Sequence, residues 1–159
     1  MYLYIKQRVF SLGDKYDVYD ENSNVVFNVQ SEIFSFGAKL HLCNAAGMEL
    51  YYIKQNFSLF LKKYEIYTGN SLYATVQQEL SFFRPRLAIS SIYGDHEIEG
   101  DFFHFDFEIK RLGMLVGSVH KKWLSWGDSY ELYIPDGSDA AFFVALVIAV
   151  DNCVHNENR

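Results

Sequence analysis

The stretch Ala140-Ala141-Phe142-Phe143-Val144-Ala145-Leu146-Val147-Ile148-Ala149-Val150 has no polar break, and Ser138-Asp139 stands before it as a helix N-cap. A surface helix would show a polar stripe, and a membrane span needs nearer 20 residues. What remains is a helix apolar on every face and buried all round. Such a helix needs an envelope, and the residues before it must supply one.

Those residues repeat. The anchors are Phe10-Ser11-Leu12-Gly13, Phe34-Ser35-Phe36-Gly37, Phe57-Ser58-Leu59-Phe60, Leu80-Ser81-Phe82-Phe83, Gly100-Asp101-Phe102-Phe103 and Leu124-Ser125-Trp126-Gly127, spaced by 24, 23, 23, 20 and 24 residues. Each leads into a run of period two, such as Lys39-Leu40-His41-Leu42 or Lys63-Tyr64-Glu65-Ile66, which reads as a strand. Turn residues follow at Asn22-Ser23, Asn44 to Gly47, Gly69-Asn70, Gly94-Asp95, Gly113 and Asp136-Gly137, making each unit a hairpin. A returning strand is missing only in the sixth unit. Ile5-Lys6-Gln7 copies Ile53-Lys54-Gln55 and supplies the missing half-repeat at the other end of the chain.

One N-terminal strand, five hairpins and one last strand give twelve strands, and pairing of the first with the last closes a barrel with no free edge. An open or two-layered sheet is the structural alternative. A tilted barrel of this size has a backbone radius of roughly 12 Å, room for a helix about 10 Å across. The sequence therefore predicts one mainly β domain over residues 1–159: a closed 12-stranded antiparallel barrel with strands within 2–134, around a buried helix at about 139–154.

Composition agrees. Of 159 residues half are apolar and 18% aromatic, ample for a core, and the two prolines leave few strands interrupted. Cys43 and Cys153 match no disulfide framework or metal-ligand spacing. With no charged, apolar leader at Met1 to Lys6, a cytoplasmic protein is expected. The formal net charge of −6 argues against non-specific binding to duplex nucleic acid, which needs a strongly basic face, and leaves room for a local basic patch.

The order of motifs Phe10 to Tyr16, Phe82-Phe83-Arg84-Pro85-Arg86, Glu99 to Phe102, Lys121 to Asp128 and Ala145 to Ala149 resembles the bacterial branch of the LURP-one-related family, within the tubby C-terminal-like superfamily. That resemblance implies a 12-stranded barrel around a hydrophobic C-terminal helix. It also implies a binding-module role, since tubby domains hold phosphoinositide head groups through basic residues.

No catalytic constellation is legible. His41, His96, His104, His120 and His155 show no HExxH and no zinc spacing, and no nucleophile elbow or P-loop occurs. The recurring serines suit turn capping. Asp95, Glu97, Glu99 and Asp101 alternate along one strand face; such a row can hold a divalent cation but is ordinarily solvated. No metal and no cofactor is expected. One electrostatic feature stands out: Lys15, Lys39 and Lys62 each follow the repeat serine by four residues, and Lys63, Arg84 and Arg86 lie within a residue of that phase. Equal phase means equal height on a barrel, so these six are the candidate ligand-binding arc for phosphates or carboxylates. The expected function is a non-enzymatic binding or scaffold module for a protein partner or an anionic phospholipid surface, peripheral to the membrane and without a transmembrane span. The alternatives are an enzyme with a site at the barrel rim and a small-ligand carrier, which would need an empty lumen.

Overall fold

A computed structural model of the protein describes residues 1–8, 15–57, 61–80, 86–124 and 127–155, with backbone alone at 15, 123, 124, 127 and 128. Alternating apolar residues produce twelve strands: β1 (Tyr2–Gln7), β2 (Lys15–Tyr19), β3 (Val25–Ser31), β4 (Lys39–Asn44), β5 (Glu49–Phe57), β6 (Lys62–Thr68), β7 (Ser71–Glu79), β8 (Arg86–Ser91), β9 (Gly94–Asp101), β10 (Asp106–Arg111), β11 (Met114–Leu124) and β12 (Gly127–Tyr133). They form a closed antiparallel barrel in chain order, with β1 between β2 and β12. The returning strand β9 runs on to Asp101, because Gly100 and Asp101 still pair with Phe107 and Asp106.

Helix α1 (Ala140–His155) fills the lumen. Every residue from Ala141 to Val154 is buried, and Phe142, Leu146 and Cys153 expose nothing. Around it stand the inward members of the strands, Ile5, Val18, Leu42, Ile53, Ile66, Val76 and Leu132 among them, all completely covered. Burying a side chain of this kind contributes about 1.5–3 kcal/mol, so the helix is the centre of the folding free energy and leaves no lumen for a carried ligand.

Four of the five hairpins share a device absent from the alternation pattern. The register slips by one residue near the turn, opposite Tyr19, Cys43, Tyr67 and Lys110. The bulged residues Val26, Leu50, Tyr73 and Val116 pack against the core. A bulge turns an extra side chain inward, and Tyr73 so meets Phe142 near the N-terminal end of α1, ring centroids 5.5 Å apart.

Polar contacts tie the helix at both ends. Asp139 Oδ1 accepts from Phe142 N at 2.9 Å and Oδ2 accepts from Tyr51 Oη at 2.6 Å. Near the far end Tyr16 Oη donates to Asp151 Oδ2 at 2.6 Å, and Gln78 Nε2 donates to the carbonyl of Cys153 at 3.1 Å. The Cys153 bond satisfies one of the carbonyls that a helix C-terminus leaves open.

Candidate functional site: the inter-repeat rim

The strand ends at which one hairpin passes to the next stand at the rim near the helix C-terminus, where Gln78 of β7 bonds the Cys153 carbonyl and Cys153 lies beside Lys62 of β6. Here the expected arc can be placed residue by residue. Lys39 is on the outer face of β4, directly opposite Lys54 of β5, with its Nζ 3.3 Å from Glu32 Oε2. Lys63 is on the outer face of β6, 3.1 Å from Glu65 Oε1. Arg86 is exposed on β8, opposite Glu79. Lys15 opens β2 opposite Gln30, and Arg84 lies outside the described residues.

Lys62 departs from the arc. It shares the parity of Tyr64 and Ile66, both fully buried, so alternation turns it inward. Its Nζ is sealed from solvent with no hydrogen-bond partner among the described residues. Beside it Cys153 Sγ lies 3.8 Å from the Lys62 carbonyl, and burial pushes that thiol up to about 11 against the opposing pull of the Lys62 charge. The structure thus brings together Lys39, Lys54 and Lys63 on one stretch of outer wall, with Arg86 two strands on. Lys54, missed by the common phase, joins them through register alone.

The same rim exposes apolar residues that the repeat pattern presented only as phase markers. Phe34 is 102% exposed and held at φ +67°, a left-handed conformation that a bulky side chain rarely adopts. Phe36 is 84% exposed and leans on Phe57, ring centroids 4.6 Å apart. Ile33 is exposed on the same connection, and Leu80 is exposed just beyond β7. The loop is built: Ser35 Oγ donates to the Gly37 carbonyl at 2.7 Å, the turn role expected of the repeat serines, while Ser11, Ser58, Ser81 and Ser125 lie outside the described residues. Gln55 Oε1 accepts from Ala38 N at 3.1 Å. Alternation could not mark these aromatics: Phe34 and Phe36 share the parity of the inward Leu40 and Leu42, so the pattern alone turns them towards the core.

The opposite rim gathers polar groups from several repeats. Asp139, Tyr51, Tyr73 and Tyr93 form a hydrogen-bonded chain, with Tyr73 and Tyr93 Oη 2.8 Å apart. Burial, then the Asp139 carboxylate, hold the Tyr51 hydroxyl far above its ordinary value, and the bond to Tyr73 helps push Tyr93 up to about 12. Through this chain the hydroxyls of β5, β7 and the turn at Tyr93 are tied to the residue that caps the helix. Among the described residues no three His, Cys, Asp or Glu side chains meet in a metal-holding group. His41, His104 and His120 each pair with a carboxylate on the exposed surface instead.

The comparisons with known proteins follow the same lines. The family model described as LURP-one-related matches residues 1–151. The uncharacterized protein YxjI of Bacillus subtilis (strain 168) is 34% identical over 155 residues, covering 98% of this chain and 94% of its own. Protein LURP-one-related 14 of Arabidopsis thaliana is 24% identical over 177 residues, covering 99% and 85%. An Arabidopsis thaliana protein solved by X-ray crystallography superimposes with a TM-score of 0.66 at 18% identity over 95% of this chain and 90% of that one, which shows the same fold. None of these findings points to an enzymatic family, and among the described residues no helix is long and apolar enough to cross a membrane. With a family model spanning nearly its whole length, the chain belongs to the LURP-one-related family.

Proposed function

We propose that the protein is a non-enzymatic, cytoplasmic binding module that docks peripherally on an anionic phospholipid surface through the inter-repeat rim. The observation that carries this reading is the exposure of Phe34 and Phe36 on a hydrogen-bonded loop beside Lys39, Lys54 and Lys63. A ring as exposed as Phe34 contributes little to folding where it stands, and it gains about 1.5–3 kcal/mol when buried in an acyl boundary. Each cation near an anionic surface adds about 1 kcal/mol. Lys15 and Arg86 belong to the same collar by height, with Arg84 two residues before Arg86 in sequence; Lys62, turned inward, is not part of it.

Sedimentation with phosphatidylglycerol and with phosphatidylcholine vesicles tests the reading. The protein should bind the anionic vesicles, release them as salt rises, and ignore the neutral ones. Phe34→Ser with Phe36→Ser should weaken binding about tenfold or more, and Ala at Lys39, Lys54, Lys63 and Arg86 should remove its salt dependence. Absence of binding at low salt would overturn the proposal.

A further inference from the structure

The barrel wall is closed but unequally sewn. Strands β8 and β9 pair through only three residue pairs, Ile89 with His96, Ser90 with Asp95 and Ser91 with Gly94. Beyond Ile89 and His96 both strands continue without each other. Arg86 to Ala88 pair, among the described residues, only with β7, and Glu97 to Asp101 only with β10. Among the described residues, no other backbone takes up these two facing edges.

An open edge is a template for another strand, and proteins usually blunt it with proline, a covering element or charge. The β9 edge, Glu97-Ile98-Glu99-Gly100-Asp101, has no proline and is solvent-exposed except for Ile98, which is partly buried. Charge is the device present, and it has one sign. Glu97, Glu99 and Asp101 share the outer face, and the register sets Glu99 directly against Glu108 and Asp101 directly against Asp106. Carboxylates opposed across a ladder destabilise it. Lys110 bridges Glu99 and Glu108, while Asp101 and Asp106 draw on His104 and His120, both 2.7 Å away. The excess of negative charge is therefore standing on the outer face beside an edge able to pair.

We propose that the β9 edge binds an extended basic peptide segment by strand addition. Alternate residues of such a segment would be Lys or Arg and lie beside Glu97, Glu99 and Asp101 on the outer face. The residues between them would be apolar and point inward to Leu87 and Ile98, which pack against the core on either side of the gap. The same carboxylates repel a second copy of this edge, so the surface rejects self-pairing and selects cationic partners. The β9 edge is distinct from Phe34 and Phe36, and its outer face carries the charge opposite to that of Lys39, Lys54 and Lys63; Arg86 is a cation on the facing edge of β8.

The test uses the full chain and three fluorescent heptapeptides: alternating Lys and Val, alternating Glu and Val, and four Lys followed by three Val. The alternating basic peptide should bind, the acidic one should not, and the block peptide of equal charge should bind about tenfold more weakly, since only alternation matches the two faces of a strand. Hydrogen exchange should show new protection at Ile98 to Asp101 on binding. Glu97→Lys, at an exposed position, should cost about tenfold for the basic peptide and leave vesicle binding intact. Equal affinity for the alternating and block peptides, protection elsewhere than β9, or a dimer paired through β9 that excludes the peptide would each overturn the proposal.

Discussion

Tyr51 and Asp139, 88 residues apart in sequence, meet through a hydrogen bond of 2.6 Å, and the same carboxylate caps the helix on Phe142 N. One side chain thus starts α1 and fastens it to β5. Asp139→Ala should cost about 1–2 kcal/mol for the lost cap, with more for the stranded tyrosine hydroxyl. Tyr51→Phe should cost about 1 kcal/mol. In a double-mutant cycle by urea unfolding the two losses should fall short of additivity by about 0.5 kcal/mol or more; strict additivity would show that cap and anchor are independent.

Leu146 lies wholly covered at mid-helix. Leu146→Asp places a carboxylate against apolar strands at a cost of several kcal/mol, comparable with the stability of a whole domain. That variant should be unfolded by circular dichroism. Leu146→Met, which keeps the volume, should lose less than about 1.5 kcal/mol and remain folded.

Strand β1 contacts both β2 and β12, so its removal opens two edges at once. A protein lacking residues 1–9 should aggregate or lose cooperative thermal unfolding. A soluble truncation with an unchanged midpoint would contradict the role of β1 in closure.

Gly100 and Gly47 both have positive φ, at +120° and +83°, but differ in surroundings. A Cβ at Gly100 would sit 2.6 Å from the Asp106 carbonyl oxygen and 2.9 Å from Phe107 Cα, whereas one at Gly47 meets nothing within 4 Å. Gly47→Ala should cost about 1 kcal/mol through backbone conformation alone. Gly100→Ala should cost clearly more, because β9 must move from β10. Denaturation midpoints rank the two, and the reverse order would refute this account.

Two histidines should bend the pH dependence of stability in opposite directions. The hydrogen bond to Asp151, above all, raises His155 over its ordinary value near 6.5, so its contribution is complete below that pH and lost as pH rises through the raised folded value. Burial, with the Arg111 charge, lowers His96. The neutral His96 ring contributes fully above about 6.5 and loses that contribution as pH falls towards its depressed value. The gap in unfolding free energy between the native chain and His155→Gln should therefore narrow from pH 6 to 8. A pH-independent gap would mean that the Asp151 contact carries no linked proton.

Strand number, barrel closure and the central helix were legible in the residues because each rests on a local period: two along the strands, about 23 between hairpins, and unbroken apolarity from Ala140 to Val150. Closure followed from the phase of Ile5-Lys6-Gln7. The arc of cations was legible only as a set of heights. Lys62 and Lys63 are neighbours in sequence, yet one is sealed beneath the wall and the other stands outside it, because pleating sends consecutive side chains to opposite faces. Which strand faces a given lysine across the ladder is likewise a matter of register, and so Lys54 came to stand opposite Lys39.

By itself, then, the sequence determined the repeat, the strand faces and the need for a buried helix, since these depend on the chemistry of neighbouring residues. The tertiary structure alone decided that Phe34 is left wholly exposed, that bulges set Val26, Leu50, Tyr73 and Val116 against the core, and that β8 and β9 part beyond Ile89. Those outcomes depend on how one hairpin registers against the next. Register is a balance of packing and backbone pairing between residues that meet only when the barrel has closed.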